Sequence, residues 1–217
     1  MVRAYLSTFN ELGVETWLAH DSLLGWWLSG QILPGDRDVR MQVSEPAIFD
    51  LAAYYNMTTF SVRVPGQPKT VSRKYQLELS RYAKAREQAD PAGSADARWI
   101  DTDTGLYIDM YAVRYNLTHP GGRGMMSCKD GGEFRDKDLF PLHKTSFEGV
   151  PAKIPHQTRE LLVAEYGARA LKAGGRNGDR FDEVEKPSTL EDKAEQGGLG
   201  DEEEFKEDQA DGGWNDL

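Results

Sequence analysis

A single cysteine, Cys128, stands among the 217 residues, so the chain can close no internal disulfide and build no cysteine-based zinc cluster. No stretch approaches the roughly 18 consecutive apolar residues of a membrane span. The opening MVRAYLSTFNELG spaces its apolar residues as an amphipathic helix does and lacks the unbroken apolar centre of a secretory signal. Net positive charge is missing too: 26 Lys and Arg face 36 Asp and Glu, for a formal charge of −10. The excess acid is local. From Arg176 onward there are five Lys/Arg against fifteen Asp/Glu, which leaves 21 of each sign in residues 1–175. A neutral body gives nucleic acid no electrostatic footprint, so nucleic acid is not expected as a partner.

This asymmetry divides the chain. Residues 1–175 have the apolar content for one domain with a core. Residues 176–217, with glycine pairs and the run Asp201-Glu202-Glu203-Glu204, have too little to offset the entropy of ordering and read as a disordered acidic tail. Two sequons, at Asn56-Met57-Thr58 and Asn116-Leu117-Thr118, fit passage through a secretory-pathway lumen, although about one arises by chance at this length.

Within the body, Val2, Tyr5, Leu6, Phe9 and Leu12 recur at helical spacing up to Gly13. VETWLAH (14–20) is β-prone. SLLGWWLSG (22–30) reads as a short helix, with Ser22 as N-cap and Gly30 as its stop. ILPGDRDVRMQV (32–43) follows as a strand, with Val39, Met41 and Val43 on one face and Asp38, Arg40 and Gln42 on the other. Ser44 can cap a helix over 45–55. Further strands are expected at 60–64, 74–79 and 105–115, a loop over 85–96, and a last amphipathic helix from Gln157. Helices and strands mix without a regular βαβ repeat, which predicts an α/β (α+β) domain built on a mixed sheet flanked by helices.

The acids suggest a chemistry. Phosphoryl or nucleotidyl transfer with Mg²⁺ uses carboxylates clustered on rigid elements, two at i, i+2 on one strand and a third from a neighbour. Asp36 and Asp38 offer the pair, and Asp109, inside the apolar run LYIDMYAV, offers the third. An exposed strand face would account for Asp109 equally well. His20 either touches a ligand or is a hydrogen-bonded structural histidine. Trp26 and Trp27 either stack on a base or sugar or fill core.

WLAHDSLLGWWLSGQILPGDRDVRMQV resembles the signature of the LicD and fukutin-related family, with its nucleotidyltransferase-like fold. The fungal branch tied to mannosylphosphate addition on glycoproteins is the most similar. SEPAIFDLAAYYN, ARWIDTDTGLYIDMYAVRYN, SCKDGGEFRDKDLFPLHKTSFEGVPAKIP and LLVAEYG extend the resemblance over about residues 5–171. It implies transfer of a phosphosugar or phosphoalcohol from a nucleotide-activated donor to a glycan or glycoprotein, assisted by Mg²⁺ or Mn²⁺. It also implies a Golgi-lumen setting and attachment to the membrane through an N-terminal anchor outside this chain. Carried over by position, Asp36, Asp38 and Asp109 are the catalytic and metal-binding carboxylates, and His20, Ser22 and Gly25 belong to the donor-binding element.

Three departures fall inside that site. Asp21 stands where the family has the glycine before its Ser/Thr, Gly35 replaces the tryptophan of Pro-Trp-Asp, and Arg40 replaces the second acid of the metal pair. Asp to Arg changes the local charge by two units, each worth about 4 kcal/mol at 4 Å and an effective dielectric near 20. A slipped Asp36–Asp38 pair would sit roughly 6.6 Å further along the strand, far for an ion that needs oxygens at about 2.1 Å. The other outcome is an ion cluster of Arg40 with Asp38 and Asp109, in a catalytically inactive member that binds or regulates a glycosyltransferase.

Overall fold

The computed structural model describes residues 1–36, 38–63, 72–84 and 94–172. The acidic segment expected to be disordered, and most of the loop expected over 85–96, lie outside the described residues.

A mixed sheet of eight strands organises the domain. Six form its path in the order β1 (Thr16–Leu18), β2 (Arg40–Ser44), β6 (Tyr107–Tyr115), β5 (Ala97–Asp101), β4 (Ser72–Leu79) and β3 (Thr58–Arg63). Only β2 and β6 run parallel along this path; the other neighbours are antiparallel. β7 (Met125–Ser127) continues from β6, and β8 (Glu133–Arg135) from β7. A separate hairpin pairs β9 (His143–Phe147) with β10 (Val150–Ile154).

Period-two alternation gives the sheet two unlike faces. Met41 and Val43 of β2, Ile108, Met110 and Ala112 of β6, Trp99 of β5 and Leu77 of β4 are buried in one main core. Helix α1 (Val2–Glu11) packs on this core and against β10. Its buried Tyr5 and Phe9 stack at 4.2 Å, and both meet Trp99 edge-on. The opposite face is polar along β3, β4 and β5 and apolar only at its other end. There Trp17, Val113, Met126 and Leu139 make a second, smaller core beneath β7 and α4 (Asp136–Leu139). This second core explains why the alternation in β6 fades, with Tyr111, Ala112 and Val113 all buried.

Two boundaries differ from expectation. Helix α2 covers His20–Ser29 with Ala19 as N-cap, so Ser22 lies inside its first turn instead of capping it. β2 begins only at Arg40, because Pro34 and Gly35 form a turn and Asp36 Oδ1 accepts the backbone N–H of Asp38 at 3.0 Å. Such a local side-chain bond competes with strand pairing. Helix α3 (Glu45–Tyr54) has Ser44 at its N-cap as expected, without a capping bond from the side chain, and Pro46 in its first turn; α5 (Thr158–Tyr166) ends at Gly167. Among the described residues no helix is long and apolar enough to cross a membrane.

Candidate functional site

Of the three acids singled out from sequence, Asp109 lies beside Arg40 at the start of the parallel pair, Asp38 is bonded to Arg40, and Asp36 lies in the turn before β2. Register places Arg40 of β2 beside Asp109 of β6, Asp109 beside Arg98 of β5, and Arg98 beside Glu78 of β4. Side chains in register share a face. Four strands therefore present one row of alternating charge on the polar face of the sheet.

Asp38 and Asp109 each already have an arginine partner. Both Nε and Nη2 of Arg40 donate to Asp38 Oδ2, the first at 3.0 Å. Arg98 Nε donates to Asp109 Oδ1 at 2.9 Å, and its guanidinium lies over the Tyr107 ring, 4.5 Å from the centroid. The cluster of Arg40 with both Asp38 and Asp109 does not form: Arg98 takes Asp109, and Arg40 takes Asp38 alone. The hydrogen bond to Asp38 pushes the Arg40 pKa further up, so this charge is permanent. Burial, reinforced by the Asp109 carboxylate, pushes the Tyr111 hydroxyl up to about 12.

A divalent cation does not fit this arrangement. Asp38 would have to release a guanidinium held by two nitrogens, Asp109 would have to release another, and Arg40 would remain beside the ion. Asp36 is committed to the backbone turn. Among the described residues no three His, Cys, Asp or Glu side chains are grouped so as to hold a metal.

The residues expected around a donor have structural places. Ser22 is buried, and its hydroxyl finds no hydrogen-bond partner among the described residues. Gly25 allows residues 31–33 to cross α2 at close range, since a Cβ there would stand 2.5 Å from the Gln31 carbonyl. Trp26 is core, with its indole N–H donated to Thr145. His20 has both ring nitrogens engaged, Nε2 with Asp130 Oδ2 and Nδ1 with Glu165 Oε1, each at 2.7 Å. Asp130 also accepts from Gln42 Nε2 at 3.3 Å, and Gln42 in turn accepts the Trp17 indole N–H. His20 thus clasps α5, the 128–132 turn and β2 around the N-terminus of α2.

Burial alone would lower the His20 pKa, but hydrogen bonds to the two carboxylates hold it up at about 9, against an ordinary 6.5. Burial works against ionisation of Asp130 as well, yet the His20 contact draws its pKa down to about 2. The sign follows. A group with a raised folded pKa stabilises fully below its ordinary value, and this stabilisation is lost as pH rises through the folded one. Thermal melting should therefore show His20-linked stability intact below pH 6.5 and lost through about pH 9. With Glu165 partly exposed, the effect should be on the order of 2 kcal/mol. His20→Gln should flatten this limb of the pH profile; a His20→Gln profile that keeps it would refute the clasp.

Sequence reasoning did not find Arg98, Asp130 or Glu165. Arg98 was detectable as the outward residue between Ala97 and Trp99, once ARWID is read as a five-residue strand. Asp130 sits in a glycine turn and Glu165 on an amphipathic helix, where acids are commonplace.

Residues 13–157 match the family described as LicD/FKTN/FKRP, nucleotidyltransferase domain. Mannosyltransferase regulator 4 of Saccharomyces cerevisiae is 30% identical over 163 residues, which is 75% of this chain and 13% of that protein. Mannosyltransferase regulator 14 of the same yeast is 24% identical over 152 residues, 64% of this chain and 16% of its own. The chain therefore spans less than a fifth of the length of these curated relatives.

Proposed function

The chain belongs to the LicD family, and on that premise we propose that it serves mannosylphosphate addition to glycoproteins as a metal-independent regulatory domain. In this reading it binds and regulates a mannosyltransferase in the secretory lumen and does not itself turn over a nucleotide-activated donor. One observation carries the reading: two of the three acids expected to hold Mg²⁺ or Mn²⁺ are tied to an arginine, Asp38 to Arg40 and Asp109 to Arg98, and the third, Asp36, accepts the Asp38 backbone N–H. The names of the two yeast relatives support the regulatory part.

Chemistry argues in the same direction. A phosphoryl donor brings negative charge, and transfer from it needs that charge neutralised at the reacting phosphate. Here the guanidiniums are spent on protein carboxylates. Asp21 adds a further negative charge at the N-terminus of α2 and holds the Tyr166 hydroxyl at 2.9 Å.

The reading is tested by following labelled mannose from a nucleotide-activated donor into glycoprotein. Purified chain with Mn²⁺ should transfer none. Added to microsomes from fungal cells lacking the gene, it should raise incorporation several-fold. Transfer by the purified chain alone would overturn the regulatory reading, as would microsomes that do not respond to the chain.

A further inference from the structure

The turn after β6 carries a group that neither the sheet nor the candidate site uses. Asn116 follows that strand, with its backbone N–H donated to the Met125 carbonyl at 2.8 Å. Its Oδ1 accepts twice from Thr118, from the backbone N–H at 3.3 Å and from the hydroxyl at 3.1 Å. The side-chain nitrogen is left without a partner among the described residues. Leu117, between the two, is 90% exposed, and Tyr115 before them is 46% exposed.

We propose that Asn116 is a site of N-linked glycosylation, taking an oligosaccharide from a polyprenyl-diphosphate carrier. In the transfer, Nδ2 attacks the anomeric carbon of the reducing-end sugar, an N–C bond forms and the C–O bond to phosphate breaks. Polyprenyl diphosphate leaves, and Nδ2 gives up one proton to a base of the transferring enzyme. The Thr118 hydroxyl on Oδ1 holds the amide by its oxygen and so leaves the nitrogen available to the transferring enzyme. A glycan there also covers Leu117 and Tyr115, apolar groups that otherwise face water.

The other sequon is arranged differently. Asn56 Oδ1 accepts the backbone N–H of Leu79 at 3.0 Å and so pins the end of β4. Thr58 already belongs to β3 and makes no bond to Asn56, and Met57 between them has φ of 60°. Geometry therefore favours Asn116 over Asn56 as the acceptor in the folded chain. Seven residues separate Asn116 from Asp109 along β6 and its turn, roughly 23 Å, so a glycan there leaves the charged row uncovered.

The inference rests on the chain reaching a secretory lumen, and the experiment supplies that step. The full chain is expressed behind a cleavable leader in a eukaryotic host, recovered from the medium and mapped by peptide mass spectrometry. The Asn116 peptide should carry a hexose-rich glycan that an amidase removes, leaving aspartate. Thr118→Ser should retain the glycan and Thr118→Ala should abolish it, both at unchanged melting temperature and unchanged stimulation of the microsomal transfer. Secreted, folded chain with Asn116 unmodified would overturn the proposal and leave the regulatory reading standing.

Discussion

Replacing Arg40 by Asp should convert a chain with no saturable Mn²⁺ binding into one that binds a single ion. Register is the reason: position 40 lies directly beside Asp109 across the parallel pair, two residues from Asp38 on the same face. The substitution removes the cation and frees Asp38. It also adds a carboxylate opposite Asp109, so three oxygen donors surround one point. Local charge changes by two units, and even one unit at about 4 Å is worth about 4 kcal/mol at an effective dielectric near 20. That corresponds to roughly a 10³-fold gain in affinity at 1.4 kcal/mol per decade. Arg98 still competes for Asp109, so Arg40→Asp with Arg98→Ala should bind more tightly than Arg40→Asp alone. The family's tryptophan at position 35 should not help, because Gly35 has φ of 80°, a conformation costly for a side chain with a Cβ. Isothermal titration with Mn²⁺ checks all three chains, and melting temperature should rise with Mn²⁺ only in the variants. Stoichiometric binding by the unmodified chain, or none by Arg40→Asp, would refute the exchange of metal for guanidinium.

How far the sequence discloses this site depends on which force acts at each residue. The sheet and helices leave periodic traces: Val39, Met41 and Val43 face the core as their alternation requires, and Gly30 ends α2 in the left-handed region. The exchange at Arg40 is likewise visible, as a cation in the place of an acid. Its partner for Asp109 is not, since Arg98 is assigned only by antiparallel register, and register depends on pairings between distant segments. β5 itself is short and holds two charged residues among five, too little alternation to stand out. β7, β8, β9 and β10 are three to five residues long and owe their pairing to neighbours more than to propensity. His20 was legible as chemically notable, but its two carboxylates lie 110 and 145 residues away. Nothing local encodes such contacts.

Asp96→Ala should destabilise the fold strongly, costing about 3–5 kcal/mol in urea unfolding. In sequence this acid falls at the end of the loop expected over 85–96, a stretch of Ala, Asp, Pro and Gly. In the fold it is fully buried, with Oδ2 accepting the Ala112 N–H at 2.8 Å. Its other oxygen faces Lys129 Nζ at 2.9 Å and Arg114 Nη2 at 3.7 Å. Removing the carboxylate leaves Arg114, itself buried, with Glu45 at 3.4 Å and the Ala83 carbonyl, and leaves Lys129 with the Tyr82 carbonyl. Two cations then share too little opposing charge in a site with little water. Against a total stability of about 5–15 kcal/mol, this is a large fraction. Asp96→Asn keeps an acceptor for the Ala112 N–H and removes only the charge, so it should cost less. Lys129 precedes Asp130, so the two neighbours anchor one turn in two directions, toward Asp96 and toward His20. Loss of Asp96 should therefore also weaken the His20 clasp and reduce the pH dependence of melting between pH 6.5 and about 9. An Asp96→Ala protein as stable as the parent would mean that the buried carboxylate contributes no net stability, and a loss of stability with the pH profile intact would separate the two anchors.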